Sequence, residues 1–283
     1  MEHLFLETNG VRLHCVAEGK GKLVLLLHGF PEFWYSWRHQ LPALGRHFRA
    51  VAPDLRGYNE SDKPEGEENY RLELLVEDVA GLVRELGGGR GMVVGHDWGG
   101  VIAWTFAALH PEMTEKLAIL NAPHPSRMAG RLSPEQSRKS WYISFFRREE
   151  APESFLAADN YAVLKEVLRG TAVRPAFTEE DLERFVESWS KPGALRAGIN
   201  YYRANGPDSP LRQLPKVKAP TLVIWGKEDA FLTVEVSRAE EFVEGPYRAV
   251  YLENCGHWVQ NEEPELVNRL LLEFLLQDAS RGG

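Results

Sequence analysis

Cysteine is scarce: only Cys15 and Cys255 occur in 283 residues. A disulfide framework is therefore not expected, and a reducing compartment, the cytoplasm, is the natural setting. A chain of this length needs no stapling, because it can bury the core of one large α/β domain carrying an insertion. Positive charge is also in deficit, with 33 Lys and Arg against 41 Asp and Glu and a formal net charge of -8. That balance offers no basic footprint for nucleic acid or anionic lipid; a small neutral partner fits it better. No run approaches the roughly 18 apolar residues of a membrane span. Met1 to Gly10 lacks the basic start and apolar core of a secretory signal. Repeats and low-complexity segments are absent. Gly87, Gly88, Gly89 and Gly91 stand before an apolar run, whereas a dinucleotide site needs its glycines after a strand, so that cofactor class is excluded.

What is present is a series of short apolar runs bounded by turn residues: 22–27, 48–52, 91–94, 117–120, 221–224 and 249–252. These read as buried strands. Between them lie helical patterns such as Leu72, Leu75, Val76, Val79, Leu82, Val83 and Leu86, whose three- and four-residue spacing makes one apolar face. The alternation predicts a mostly parallel sheet covered by helices, an α/β fold. The segment 11–16 alternates and predicts an antiparallel edge hairpin with the residues before it. Near the end, Asn261 is expected to cap a helix with Glu262, Glu263 and Pro264 in its first turn. From His124 to Lys216 the strand signals stop, and the sequence turns charged, aromatic and helical, broken at Pro125, Pro134, Pro152, Pro175, Pro192 and Pro207. The organisation expected is a core at 1–123 and 217–283 with a helical cap at 124–216 that shapes a pocket and excludes water.

The chemistry-bearing residues follow strands. Gly95-His96-Asp97-Trp98-Gly99-Gly100 joins an apolar run to the helical pattern Val101 to Phe106. Glycine on both sides of a central residue is the pattern of a nucleophile elbow, a strained strand-to-helix turn that projects one side chain above the sheet. Here the side chain is the carboxylate of Asp97, and the helix N-terminus behind it favours the anion that a nucleophile requires. Alone the pattern is weak, equally a turn with a capping aspartate. Its place between strand and helix gives it weight. The next run, 221–224, leads into Glu228 and Asp229, either of which could orient a histidine or simply be a solvated turn acid. The last run leads into Gly256-His257-Trp258. The order nucleophile, acid, histidine is that of a catalytic triad on this kind of sheet, and His257 alone among the histidines follows the last strand and precedes the last helix. Near the start, Leu23 to Leu27 run into His28-Gly29-Phe30-Pro31. The backbone N–H groups of Phe30 and Trp98 are the expected oxyanion donors, while Pro31 has no N–H to offer.

Together these motifs resemble the epoxide hydrolases of the α/β-hydrolase fold along nearly the whole chain. His28-Gly29-Phe30-Pro31-Glu32, then Trp34 to Arg38, is similar to that family's early loop and helix, and Gly95 to Gly100 to its aspartate elbow. The segment Ser140 to Phe146 is similar to the one bearing the first ring-opening tyrosine, which implies that role for Tyr142. Asn200-Tyr201-Tyr202-Arg203 is similar to the second, which implies the same role for Tyr202, although either ring could be plain packing. The family's spacing favours Asp229 over Glu228 as the acid. The resemblance implies a covalent ester on Asp97, a small neutral epoxide and water as reaction partners, and neither metal nor organic cofactor. Mammalian soluble members carry an added phosphatase-like domain with no counterpart here, so no second activity is expected. The nearest rival is a haloalkane dehalogenase, which commonly has Asn where Phe30 stands and needs side-chain donors for a halide. Fluoroacetate dehalogenases have arginine where Trp98 stands. A rival of another class is a catalytically silent binding protein on the same fold.

Overall fold

A computed structural model describes residues 1–128, 132–149, 151–206 and 213–277. Eight strands form one sheet: β1 (Glu2–Thr8), β2 (Val11–Glu18), β3 (Leu23–Leu27), β4 (Arg49–Pro53), β5 (Gly91–His96), β6 (Thr114–Leu120), β7 (Thr221–Gly226) and β8 (Tyr247–Leu252). Their order is β1-β2-β4-β3-β5-β6-β7-β8. The first two strands make the expected antiparallel hairpin, β2 meets β4 antiparallel, and every later pairing is parallel. The strands outrun the apolar runs because polar residues such as Thr114 and His96 are buried at their ends.

In β3 the alternation of side chains divides one apolar run between two cores. Leu23, Leu25 and Leu27 face one side of the sheet, Val24 and Leu26 the other. The helices are α1 (Gln40–Leu44), α2 (Leu72–Gly87), α3 (Trp98–Leu109), α4 (Pro134–Lys139), α5 (Trp141–Phe146), α6 (Ala151–Gly170), α7 (Glu179–Trp189), α8 (Ala194–Ala204), α9 (Val259–Glu262) and α10 (Pro264–Leu276). Helices α2 and α3 cover the first face with Leu75, Val79, Val83, Ile102 and Phe106. Helices α1 and α10 cover the other with Leu41, Leu44, Val267, Leu271 and Phe274. No helix among the described residues is long and apolar enough to cross a membrane.

Between β6 and β7 the described residues form no strand, only α4 to α8 and their connections. The prolines mark those connections: Pro134 opens α4, Pro152 lies in the first turn of α6, and Pro175 and Pro192 separate α6 from α7 and α7 from α8. Pro207 lies outside the described residues. Within α6 the helix breaks at Ala158, and Asp159, Asn160 and Tyr161 are left-handed.

One expectation is corrected. Asn261 does not cap the last helix; it lies inside the short helix α9, where its side chain is engaged by Arg38 and Ser36. Glu263 is the residue before α10, and Pro264 is its first residue. A proline at the first helical position needs no N–H partner, and so the break falls there.

Candidate active site

Five strand ends converge on one region above the sheet, the edge at which open parallel sheets bind ligands. After β5 the chain turns at Asp97, whose φ of 50° is left-handed and unusual for a residue with a side chain. The flanking glycines are a steric requirement. A Cβ on Gly95 would stand 2.4 Å from the Gly99 carbonyl oxygen, and one on Gly99 would stand 2.2 Å from that of Leu27. Gly29 is similarly constrained, since its Cβ would meet the Asp97 side chain at 2.3 Å. The turn thus brings the Asp97 carboxylate against the loop after β3. There the Phe30 N–H donates to Asp97 Oδ1 at 2.8 Å. Trp98 begins α3, so its N–H has no carbonyl one turn back to accept it.

His257, in the loop after β8, is buried with its Nε2 3.7 Å from Asp97 Oδ2. Its Nδ1 lies 2.7 Å from Asp229 Oδ2. Asp229 is fully buried whereas Glu228 is exposed, so it is Asp229 that meets the histidine. The N–H groups of Phe231 and Leu232 donate to its Oδ1, and Asn121 Nδ2 donates to its Oδ2. Burial by itself raises the Asp229 carboxyl, but the His257 charge and hydrogen bond, with Asn121 and the Phe231 N–H, hold it below the usual carboxylate range. For His257, burial opposes the charged form. The Asp229 and Asp97 carboxylates outweigh it, and the imidazole is pushed up to about 10. The two carboxylates thus favour the charged imidazole between them.

Tyr142 on α5 and Tyr202 on α8 face Asp97 from the helices opposite, their rings 5.9 Å apart. Burial, reinforced by the Asp97 charge, raises both phenols far above their ordinary value. For Tyr202 a hydrogen bond from Trp98 works weakly the other way. Both phenols consequently stay protonated beside an anion. Asp97, Tyr142 and Tyr202 form a wall common to two cavities. One, of about 480 Å³, includes Trp98, Val101, Ser140 and Leu232; the other, of about 130 Å³, is lined by Phe30, Phe146, Phe231 and other apolar side chains.

The structure brings together Asp97, Asp229, His257, Tyr142, Tyr202 and Phe30, with Trp98 adjoining. Sequence reading missed several supports. Asn121 directly follows β6, and besides binding Asp229 it accepts the Gly226 N–H through Oδ1 at 2.9 Å. Its position just beyond a strand's C-terminal end is the signal that pointed to Asp229. Glu32 and His96 form a buried pair, with His96 Nδ1 2.7 Å from Glu32 Oε2 and Nε2 2.9 Å from the His257 carbonyl. Burial raises the Glu32 carboxyl, yet the His96 charge and hydrogen bond, with Ser36 and His28, bring it down to about 2. From α4, Gln136 donates to the Phe231 carbonyl and Lys139 to that of Asp229. No local pattern marks these last two, because their partners are distant in the chain.

Residues 22–264 match the family described as alpha/beta hydrolase fold. The chain is 42% identical over 277 residues to AB hydrolase superfamily protein YfhM of Bacillus subtilis (strain 168), covering 96% of each. It is 41% identical over 286 residues to Epoxide hydrolase 4 of Mus musculus, covering 98% of this chain and 79% of that one. Among solved structures, an epoxide hydrolase of Bacillus megaterium in complex with an inhibitor superposes with a TM-score of 0.89 at 33% identity, covering 97% of this chain and 100% of that one. The chain belongs to the α/β-hydrolase fold family, in its epoxide hydrolase branch.

Proposed function

We propose that the chain hydrolyses epoxides to vicinal diols in two steps through an ester on Asp97. Residues 124–216 serve as the cap over a core made of 1–123 and 217–283. Asp97 Oδ1 is engaged by the Phe30 N–H, which leaves Oδ2 as the attacking oxygen. As Oδ2 bonds to an epoxide carbon, the carbon–oxygen bond of the ring breaks, and Tyr142 or Tyr202 gives its proton to the departing oxygen. Alkylation removes the negative charge of Asp97, one of the two that hold the proton on His257. The imidazolium can then return a proton to the tyrosinate, leaving both groups neutral.

Neutral His257, oriented by Asp229, takes a proton from water as the water oxygen attacks Asp97 Cγ. The charge that develops on Oδ1 is met by the Phe30 and Trp98 N–H groups. The ester bond then breaks, and the product oxygen receives the proton from His257. The site needs a small neutral epoxide and water as partners, and cytoplasmic residence is the compartment proposed.

The observation that carries this reading is the Asp97 carboxylate at the elbow sharing the wall of both cavities with two phenols, Tyr142 and Tyr202. A serine there would form acyl esters, whereas a carboxylate suits displacement at saturated carbon. Phe30 offers no side-chain donor for a halide, which weighs against the dehalogenase alternative. The test is a single turnover in ¹⁸O-labelled water with enzyme in excess. The diol should carry little label and the peptide containing Asp97 should acquire it, because water's oxygen stays on the carboxylate. Labelled diol with an unlabelled peptide would mean direct attack by water and would sink the covalent route.

A further inference from the structure

Glu262 is a buried carboxylate that touches none of the reacting groups, yet it gathers four backbone N–H donors from two parts of the chain. It closes α9, directly after the histidine loop. Gly256 N–H donates to its Oε2 at 3.0 Å and Trp258 N–H to its Oε1 at 3.1 Å, so the residues on either side of His257 are held by one side chain. Val173 and Arg174 N–H groups, in the connection after α6, donate to the same Oε2 at 2.9 and 3.2 Å. Two further bonds tie the same segments: Trp258 Nε1 donates to Thr171 Oγ1 at 2.9 Å, and Arg174 Nε to the Asn254 carbonyl at 2.8 Å. Gly256 packs tightly between them, since a Cβ there would lie 2.9 Å from Glu262 Oε1 and 3.0 Å from the Thr171 carbonyl oxygen.

Four donors converging on two oxygens call for an ionised acceptor, which makes stronger and more directional bonds than a neutral one. We propose that Glu262 is a positioning residue for the second chemical step: it fixes the backbone on both sides of His257 and locks that loop to the connection between α6 and α7. His257 reaches Asp97 across 3.7 Å, and in ester hydrolysis it must align a water with Asp97 Cγ. Small rotations of the loop would degrade that alignment. Ring opening by Asp97 and the tyrosines does not depend on it. The assignment rests on the two-step mechanism proposed above, in which His257 acts as a base only on the ester.

Glu262→Gln keeps the shape but lowers the acceptor charge and turns one end into a donor facing N–H groups. In single turnovers with enzyme in excess, alkylation of Asp97 should stay within about twofold of wild type while ester hydrolysis slows by about tenfold or more. The ester should then accumulate on the Asp97 peptide in mass spectra. Glu262→Asp, which keeps the charge but shortens the reach, should shift the same ratio in the same direction if the Gln variant does not fold. Equal slowing of both steps, or unchanged hydrolysis in a folded variant, would overturn the role. Failure of both variants to fold would overturn it too, by making Glu262 a scaffold residue only. Wild-type enzyme that forms no Asp97 ester would remove the two-step mechanism and this role with it, whereas a wild-type ester with normal hydrolysis in the variants would remove this role alone.

Discussion

Asp97 and His257 stand 3.7 Å apart, and the mechanism proposed above has them act at different moments, a difference that can be measured. Asp97→Ala removes the atom that bonds to substrate. His257→Ala leaves that atom in place, with the Phe30 N–H and both tyrosines around it for ring opening, and removes what acts afterwards: the proton source for the tyrosinate and the base for the second step. Both variants should lose diol turnover by at least about a thousandfold, in line with loss of a covalent nucleophile or its base. Intact mass after incubation with an epoxide should show a stable adduct on His257→Ala and none on Asp97→Ala. Diol formation by Asp97→Ala would remove the aspartate from the chemistry.

At the scale of elements, the elbow joining β5 to α3 is a junction packed backbone against backbone. Gly99 approaches the Leu27 and His28 carbonyl oxygens so closely that a Cβ would lie 2.2 and 2.4 Å from them. Neither oxygen can retreat without moving β3 and the loop that carries Phe30. Gly99→Ala should therefore cost about 3 kcal/mol or more in denaturant unfolding, and lower activity as Phe30 shifts. Gly87→Ala makes a contrast: its Cβ would meet chiefly the Leu23 side-chain end, which can rotate away. It should cost less than about 1 kcal/mol. Equal losses in the two variants would mean that the elbow has slack the geometry does not reveal.

Across the whole molecule, the buried imidazolium links stability to pH. His257 titrates near 10 in the folded chain, above its ordinary value of 6.5. A group raised on folding stabilises fully below its unfolded value and loses that contribution as pH rises through its folded value. The window is thus roughly pH 6.5 to 10, and the effect is on the order of a few kcal/mol. Asp229, depressed on folding, works oppositely, its contribution disappearing as pH falls through the acid range. Melting temperatures between pH 6 and 10 should fall more steeply for wild type than for His257→Ala. Parallel curves would show that the imidazole is not charged in the resting fold. In the proposed mechanism the same linkage bears on catalysis, because the ester lacks the Asp97 charge that, after the larger pull of Asp229, helps hold the proton on His257.

The sequence by itself determined the α/β class, the antiparallel start and the strand-to-helix turn that carries Asp97. Those features are written in short-range patterns: period-two and period-3.6 burial, and glycines where a Cβ would strike backbone. Asp97 and His257 were legible because each follows a strand, and a parallel sheet sends every strand's C-terminal end to the same side. Choosing Asp229 over Glu228 needed family spacing, since adjacent acids in a turn look alike until one is buried against a histidine. The end of the chain misled, because Asn261 is a good capping residue locally while Arg38 and Ser36, remote in sequence, claim its side chain. Only the tertiary structure decided that Asn121 would brace Asp229, that Glu32 and His96 would pair beneath His257, and that Tyr142 and Tyr202 would face Asp97. Each is a contact between segments far apart in the chain, chosen by packing and charge after the sheet has formed, and no local spacing encodes it.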